Sequence, residues 1–369
     1  MALRLTDDMA HPRMISVVMA VHNGEKYLDE AVQSIRRQTL GDFEFIIVND
    51  GSTDGTSAIL ARHAAEDSRI RVLEQPKAGM SEALNRGCAA ASGEFIARMD
   101  ADDISLPDRL EKEVGFLRAH PEVAAVGGAT QFLQDGVLID KFFRPPLQHC
   151  AIMAILFDCN PMVHPSMLIR RHALEAVGYY RPLVVAAEDF DLWLRLGEHS
   201  EIANLEDVLI YCRKHAEQTS IAKVAQQTLS SLAARFAARI RQETGRDPIA
   251  GLTAINPRSL MSIGVPPADI EGALLNGTHR VNVLIKLGEF TKARRVLDDL
   301  DAYLADFPSS REARSRIALL RSKAYRLEHK PLPRLFWGAR AYLLNPSRIR
   351  LKAKSLVNQL RRGKTAGAL

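Results

Sequence analysis

The chain has 369 residues, a length typical of about two domains. Hydrophobic residues make up 47% and charged residues 25%, which is typical of a folded globular protein and excludes collagen-like, low-complexity and wholly disordered chains. The net charge of +5 is unevenly distributed, because residues 329–369 carry ten Lys and Arg and no acidic residue, whereas residues 1–328 sum to −5.

The first 120 residues alternate between strand and helix patterns. Four apolar runs predict strands buried on both faces: Ile15–Val21, Phe43–Val48, Ile70–Leu73 and Glu94–Met99. An amphipathic helical pattern follows each run, and the fourth helix is opened by Pro107. Four consecutive strand–helix units predict an α/β fold with a Rossmann-like, doubly wound and mostly parallel sheet.

After about residue 120 the alternation weakens. Short β-like runs occur at Val123–Val126, Val163–Ile169 and Val208–Cys212, with helical patterns at His172–Val177 and Asp189–Leu196. From about Ser220 the pattern is mostly helical, over Leu229–Arg241, Leu284–Leu304 and Glu312–Leu327. We therefore predict an N-terminal extension (1–13), an α/β domain (14–219) and a mostly α-helical C-terminal region (220–369) with a basic tail from about 329.

The sequences near the two ends of the chain indicate where in the cell the protein is expected. The first 13 residues carry acidic groups and lack an apolar stretch, and no uncharged apolar run of about 18 residues occurs, so we expect neither an export signal nor a membrane span. The expected location is cytoplasmic. Apolar residues among the basic ones in the tail, such as Leu335, Phe336 and Leu343, indicate a peripheral contact with an anionic membrane surface on the inner face of the plasma membrane. A solvated basic helix is the alternative, and without a reader motif no nucleic acid is expected.

Polar residues cluster where the predicted parallel strands end, the sheet edge at which such folds bind ligands. Asp100, Asp102 and Asp103 follow the fourth strand, and three carboxylates so close together favour a bound Mg²⁺ or Mn²⁺. A solvated acidic turn that caps the next helix is the alternative. The turn VNDGSTDG after the second strand fits ligand binding and ordinary turn chemistry equally well, and neither GxGxxG nor GxxxxGK[ST] is present.

A second acidic group lies at the head of a predicted helix, in AEDFDLW. Glu188, Asp189 and Asp191 there are consistent with a carboxylate that takes a proton from a substrate hydroxyl. Acidic residues in a first helical turn also complement the helix dipole, which is the alternative explanation. His164 is interpreted as a satisfied core or surface histidine.

These stretches together resemble glycosyltransferase family 2, the inverting sugar transferases of the GT-A fold. The resemblance runs over about residues 14–215 and rests on three segments: ISVVMAVHNGEKYLDEAVQSIRRQTLGDFEFIIVNDGSTDGT, GMSEALNRGCAAASGEFIARMDADDISLPDRL and AEDFDLWLRL. It is specific for the family and much less specific for the substrate.

The resemblance implies roles for individual residues. Asp189 corresponds to the catalytic base, and Asp100 to Asp103 resemble the DxD motif that places a divalent cation (Mg²⁺ or Mn²⁺) on the donor diphosphate. Asp102 is then the first metal ligand, joined by Asp100 and, by a weaker correspondence, His215. The implied donor-binding residues are Ala20, His22, Glu25, Asn49, Asp50, Lys77, Gly79, Asn85 and Asp100. Many members have Pro and Tyr in place of Ala20 and His22, and a carboxylate in place of Asn49, so contacts to the nucleotide base differ here.

The implied function is that of an inverting, metal-dependent glycosyltransferase. It moves a sugar from a nucleotide-sugar donor to a hydroxyl of a glycan or lipid-linked acceptor, in the synthesis of cell-surface polysaccharide or glycoconjugate. Two alternatives stay open at this point. One is a membrane-docking or assembly protein with a dormant transferase domain, and the other is a sugar-nucleotide pyrophosphorylase.

Overall fold

The computed structural model describes residues 14–215, 223–305 and 311–345. The chain divides into two compact units: one holds the chain up to residue 218 and residues 237–247, and the other holds residues 219–236 and the chain from residue 248. The predicted N-terminal extension, 1–13, and the part of the basic tail beyond Asn345 lie outside the described residues.

The first unit is built on one mixed sheet, in which the described residues form nine strands. In chain order these are β1 (Ile15–Val21), β2 (Phe43–Asp50), β3 (Ile70–Gln75), β4 (Phe95–Met99), β5 (Ile104–Ser105), β6 (Val123–Gln134), β7 (Val137–Phe143), β8 (Leu168–Arg170) and β9 (Glu201–Lys214). Their order across the sheet is β3-β2-β1-β4-β8-β6-β9-β5, and β7 pairs with β6.

Along the chain, the helices of the first unit occur between these strands. They are α1 (Leu28–Arg36), α2 (Thr56–Glu66), α3 (Met80–Ala89), α4 (Arg109–Ala119), α5 (His149–Leu156), α6 (Arg171–Ala176) and α7 (Glu188–Gly197). The order β1-α1-β2-α2-β3-α3-β4, followed after the short β5 by α4, confirms the four predicted strand–helix units. Leu28, Ala31, Val32 and Ile35 of α1 are all buried, as their helical spacing predicts.

The parallel half of the sheet positions the polar residues at one edge. β1 pairs in parallel with both β2 and β4, and β2 pairs in parallel with β3. The register aligns Val21 with Asn49, and Asp50 with Gln75. Consequently, the residues that follow β1, β2, β3 and β4 meet at the carboxyl edge of the sheet.

The second half of the sheet differs from its sequence-based prediction. β6 and β9 extend over 12 and 14 residues, far beyond the short runs predicted at Val123–Val126 and Val208–Cys212, because they pair with each other in parallel along their length. The strand predicted at Val163–Ile169 is a 3₁₀ turn (His164–Ser166) followed by the short β8. Pro165 lacks the amide hydrogen that a strand pairing would need. The second strand also runs two residues further than predicted, to Asp50.

All the regular elements in the described residues of the second unit are helices, which loops connect. Its helices are α8 (Val224–Thr244, whose last residues belong to the first unit), α9 (Pro257–Ser262), α10 (Pro267–Lys286), α11 (Phe290–Ala305), α12 (Arg311–Leu327) and α13 (Pro331–Leu344). The helical pattern predicted over Leu284–Leu304 is divided between two helices, because Gly288 has φ +78° and ends α10 before α11 begins. Among the described helices, none combines the length and apolar character that crossing a membrane requires.

Candidate active site

Asp50 organises the loop that follows β3. Its Oδ1 accepts hydrogen bonds from Gln75 Nε2 and the Ala78 amide, both at 2.7 Å, and its Oδ2 accepts one from the Gly79 amide at 2.9 Å. Burial alone would raise the pKa of Asp50, but these hydrogen bonds outweigh it and hold the pKa below its ordinary value. Asp50 is therefore an ionised carboxylate that shapes the loop of Lys77 and Gly79.

His22 and Lys77 meet next to Asp50. Lys77 Nζ lies 2.9 Å from His22 Nε2, and His22 Nδ1 lies 2.8 Å from the carbonyl oxygen of Asp50. A lysine ammonium only donates, so Nε2 accepts and Nδ1 carries the hydrogen that is donated to Asp50. The backbone of Lys77 lies close to Gly51, which has φ +66° and where a Cβ would lie 2.7 Å from the Lys77 amide nitrogen.

The other donor-binding candidates have local partners. Glu25 Oε2 accepts from the Gly55 amide at 3.0 Å, and Asn49 Nδ2 donates to Ser57 Oγ at 2.9 Å, so both stabilise the turn before α2. Ala20 is a buried residue of β1. Asn85 uses both ends of its amide on the backbone of Tyr180, at 2.8 and 3.0 Å. In this structure, Asn85 thus holds Tyr180 in place.

The acidic turn after β4 forms a compact oxygen cluster. Single carboxylate oxygens of Asp100, Asp102 and Asp103 all lie within 4.8 Å of one another. Burial and the negative charges of Asp100 and Asp102 raise the pKa of Asp103 well above its ordinary value, although its Oδ1 accepts a hydrogen bond from the Arg213 amide at 2.8 Å. Burial also raises the pKa of Asp100, and the charge of Arg98 opposes this rise.

His215 joins this cluster from the end of β9. Its Nε2 lies 2.8 Å from Asp102 Oδ2, and Arg213 Nε donates to the Asp102 carbonyl at 2.9 Å. The structure thus brings together the three residues predicted as metal ligands, Asp100, Asp102 and His215. Carboxylate oxygens with one imidazole nitrogen suit Mg²⁺ or Mn²⁺, and a divalent cation would relieve the mutual repulsion of the carboxylates. The residues present therefore fit such an ion.

Arg98 is a residue of this site that sequence reasoning missed. Its side chain, on β4, forms an ion pair with Asp100 and is only 5% exposed. Its Nε atom has no hydrogen-bond partner in the part of the chain that the structure describes. The positive charge of Arg98 also acts on Glu188 and Asp189, where it opposes the rise in pKa that burial causes. An arginine inside the otherwise apolar strand FIARM was the available sequence signal, because arginine is rarely buried without a partner.

Asp189 lies in the first turn of α7 with both carboxylate oxygens hydrogen-bonded. Its Oδ1 accepts from the Phe190 amide at 2.7 Å, and its Oδ2 accepts from Asn160 Nδ2 at 2.8 Å. Burial raises the pKa of Asp189, and these two donors and Arg98 oppose the rise. Burial and the neighbouring Asp189 raise the pKa of Glu188 to about 7. Asn160 is a second residue that the sequence did not single out.

His164 is a core residue, as interpreted from the sequence. It is 8% exposed, its Nε2 lies 2.8 Å from the Tyr180 hydroxyl, and its ring contacts the edge of Trp193. Burial, together with the charge of Arg98, holds the pKa of His164 well below its ordinary value. His164 is therefore a neutral residue of the core, in contact with Tyr180 and Trp193.

Comparison with known proteins identifies the family. A sequence model described as "Glycosyl transferase family 2" matches residues 16–178. The O-antigen biosynthesis glycosyltransferase WbnJ of Escherichia coli is 34% identical over 240 residues, which cover 64% of this chain and 91% of that relative. The chain belongs to glycosyl transferase family 2. Two further relatives of this glycosyltransferase are the putative glycosyltransferase EpsE of Bacillus subtilis (34% identity; 55% of this chain, 74% of the relative) and the amylovoran biosynthesis glycosyltransferase AmsE of Erwinia amylovora (32%; 56%, 79%).

The fold of the glycosyltransferase agrees with this assignment. The crystal structure of S. aureus TarS 1–349 in complex with UDP-GlcNAc has a TM-score of 0.50 at 16% identity, covering 90% of this chain and 91% of that one. The first unit therefore has the predicted GT-A fold, and a helical region follows it. Family membership makes the protein a transferase enzyme, which favours sugar transfer over the pyrophosphorylase alternative.

Proposed function

We propose that this glycosyltransferase is an inverting, metal-dependent enzyme that transfers a sugar from a nucleotide-sugar donor to a hydroxyl of a glycan or lipid-linked acceptor. One observation carries the proposal: Arg98 contacts Asp100 of the acidic cluster and its charge also acts on Asp189, so the candidate metal site and the candidate base share one buried charge network. A process in polysaccharide synthesis is supported by the names of WbnJ and AmsE.

In the proposed reaction the acceptor hydroxyl gives its proton to a carboxylate oxygen of Asp189 while its oxygen bonds to the anomeric carbon. The bond between the anomeric carbon and the donor phosphate breaks, and its electron pair leaves with the nucleoside diphosphate. A divalent cation held by Asp100, Asp102 and His215 would supply positive charge that stabilises this leaving group. A single displacement of this kind inverts the anomeric centre and needs no covalent intermediate on the enzyme.

The donor-binding part of the proposal rests on the cluster of His22, Asp50, Lys77 and Gly79. Lys77 is exposed and brings a positive charge to the carboxyl edge of the sheet, where a diphosphate would be bound. The His22 ring, held between Lys77 and the Asp50 carbonyl, offers a flat surface to a nucleotide base. Glu25 and Asn49 support the neighbouring turn.

A screen of nucleotide sugars tests the proposal. The full chain is incubated with Mn²⁺ and, in turn, UDP-, GDP-, dTDP- and CMP-linked sugars, and release of the nucleotide is measured with and without candidate glycan acceptors. We expect acceptor-dependent release with one nucleotide class, and a product whose anomeric configuration, determined by NMR, is opposite to that of the donor. Retention of configuration would contradict the inverting mechanism, and full activity after chelation of divalent cations would contradict the metal dependence.

We also propose that α13 attaches the enzyme to an anionic membrane surface. Leu332, Leu335, Phe336 and Leu343 are 59 to 81% exposed and share one face of this helix. The segment 330–345 contains three basic residues, Lys330, Arg334 and Arg340, and no acidic residue, and the sequence beyond it adds seven more basic residues. An exposed apolar face on a segment whose own charged residues are all basic matches the requirements for binding at the surface of an anionic leaflet.

A further inference from the structure

The orientation of one amide in the candidate active site is determined by its contacts. Asn160 lies in the connection between α5 and the 3₁₀ turn, and its Oδ1 accepts a hydrogen bond from the Met162 amide at 3.0 Å. A backbone amide only donates, so the oxygen of the side chain must face Met162. The NH₂ group therefore faces Asp189, where Nδ2 lies 2.8 Å from Oδ2.

Asp189 consequently receives a donor at each carboxylate oxygen, one from its own helix and one from Asn160. The Phe190 amide donates to Oδ1 at 2.7 Å, and this backbone donor is as rigid as the helix itself. Two donors on the two oxygens fix the plane of the carboxylate, whereas either one alone would leave it free to rotate. Because a carboxylate has about four acceptor positions, unused lone pairs remain on both oxygens for a substrate hydroxyl.

We infer that Asn160 is a positioning residue that orients the carboxylate of Asp189 for proton abstraction. This inference rests on the proposed role of Asp189 as the base. Asn160 is suited to this task because its neutral amide donates a hydrogen bond without adding a formal charge. An aspartate in its place would have the same shape, but it would present an acceptor or a negative charge to Asp189.

The charged and titratable groups around Asp189 explain why the hydrogen bond from Asn160 matters for its carboxylate. Glu188 lies on the same helix turn, and burial together with the negative charges of Asp189 and Asp100 raises its pKa to about 7. Tyr180, from the segment before α7, is buried and remains neutral because burial raises its pKa well above the ordinary value. Arg98 from β4 is the opposing cation. The Phe190 amide, Arg98 and Asn160 therefore all oppose the rise in the pKa of Asp189 that burial causes.

Two substitutions and a matched control test this inference in the full chain. Asn160→Ala removes the donor, and Asn160→Asp replaces it with an acceptor of the same shape. Asn282→Asp makes the same chemical change in α10 of the second unit, where the amide oxygen accepts from Lys323. The first measurement titrates the aspartate side chains by NMR with ¹³Cγ-labelled aspartate, and the Asp189 resonance is assigned by its loss in Asp189→Asn. This measurement needs no donor and no turnover.

We expect the apparent pKa of Asp189 to rise by about one unit in both Asn160 variants and to stay at the wild-type value in Asn282→Asp. An unchanged value in a folded Asn160→Ala or Asn160→Asp protein would overturn the inference. A merely structural role of Asn160 would lower the melting temperature without moving this titration.

The second measurement follows nucleotide release from UDP-glucose, UDP-galactose, UDP-N-acetylglucosamine and GDP-mannose against pH, with Mn²⁺. We expect kcat of the Asn160 variants to fall roughly tenfold or more with an unchanged KM for the donor, and the acid limb of the profile to move to higher pH. Full turnover by Asp189→Asn would instead refute the proposed base. A different result would refute only the positioning role of Asn160. In that case the wild type is active, and the acid limb of the Asn160→Ala profile lies at the same pH as that of the wild type.

Discussion

His215 Nε2 lies 2.8 Å from Asp102 Oδ2, although 113 residues separate the two positions in the chain. The contact is made possible by β9, whose Tyr211 pairs with Ile104 of β5 directly after the acidic turn. Arg213 adds two hydrogen bonds from the same strand, one to Asp102 and one to Asp103. The end of β9 and the turn after β4 therefore bring the candidate oxygen and nitrogen ligands of the proposed metal site together.

Loss of one ligand should weaken cation binding. Asp102→Asn keeps the shape of the side chain and removes a negative charge, so we expect Mn²⁺ affinity, measured by calorimetry, to fall roughly tenfold or more. EDTA should abolish sugar transfer and excess Mn²⁺ should restore it. Asp140→Asn, at an exposed position of β7, is the matched control and should bind Mn²⁺ as the wild type does. Equal affinity in Asp102→Asn would remove Asp102 from the site.

Arg98 should contribute to both stability and activity. Arg98→Met removes the cation beside Asp100, and breaking such a largely buried ion pair costs about 3 kcal/mol of unfolding free energy. Because the charge of Arg98 lowers the pKa of Asp189, the acid limb of the activity profile should also move to higher pH. Urea unfolding measures the first effect, and Arg71→Met, at an exposed position of β3, is the control. A fully stable Arg98→Met with a wild-type profile would refute this role.

Glu188 should make the protein less stable as pH rises. The folded state raises its pKa from 4.5 to about 7, so the unfolded chain ionises first and stability is lost between these two values. Glu188→Gln should lessen that loss, as judged from unfolding free energies at pH 5 and pH 7.5. Burial also raises the pKa of Glu113 to about 7. Part of the pH dependence of stability therefore remains in both the wild type and Glu188→Gln. The exposed Glu201→Gln should behave like the wild type, and an identical slope in Glu188→Gln would contradict the expectation.

The exposed face of α13 should determine membrane binding. Replacing Leu332, Phe336 and Leu343 by Ser removes the apolar surface and leaves every charge in place. We expect cosedimentation with vesicles containing phosphatidylglycerol to fall several-fold, because burial of apolar area supplies part of the binding energy. Leu287→Ser, at a position 68% exposed between α10 and α11, is the control. Unchanged vesicle binding by the triple variant would show that any membrane contact is made by other parts of the chain. Equal binding of the wild type to neutral vesicles would contradict a contribution of the basic residues to binding.

Local patterns in the sequence determined much of the fold and the identity of the charged groups. Apolar runs such as Ile15–Val21 predict buried strands, and strand–helix alternation leads to parallel pairing, because crossover connections are right-handed. Asp100, Asp102 and Asp189 could be named because acidic residues at strand ends and helix starts are visible as short motifs. The lengths of β6 and β9 could not be predicted, since each is stabilised by a partner more than 70 residues away.

What only the tertiary structure decided is which groups touch. Asn160 donates to Asp189 across 29 residues, and Asn85 holds the backbone of Tyr180 across 95. Arg98 pairs with Asp100 in the acidic turn, and its charge also acts on Asp189 of α7. No local pattern records such contacts, because they depend on how loops and strands distant in the chain pack, and an asparagine in a loop is ordinary in any sequence. The sequence by itself therefore identified the acidic residues of the candidate site, and the packing of the chain determined which neighbours orient them and shift their pKa values.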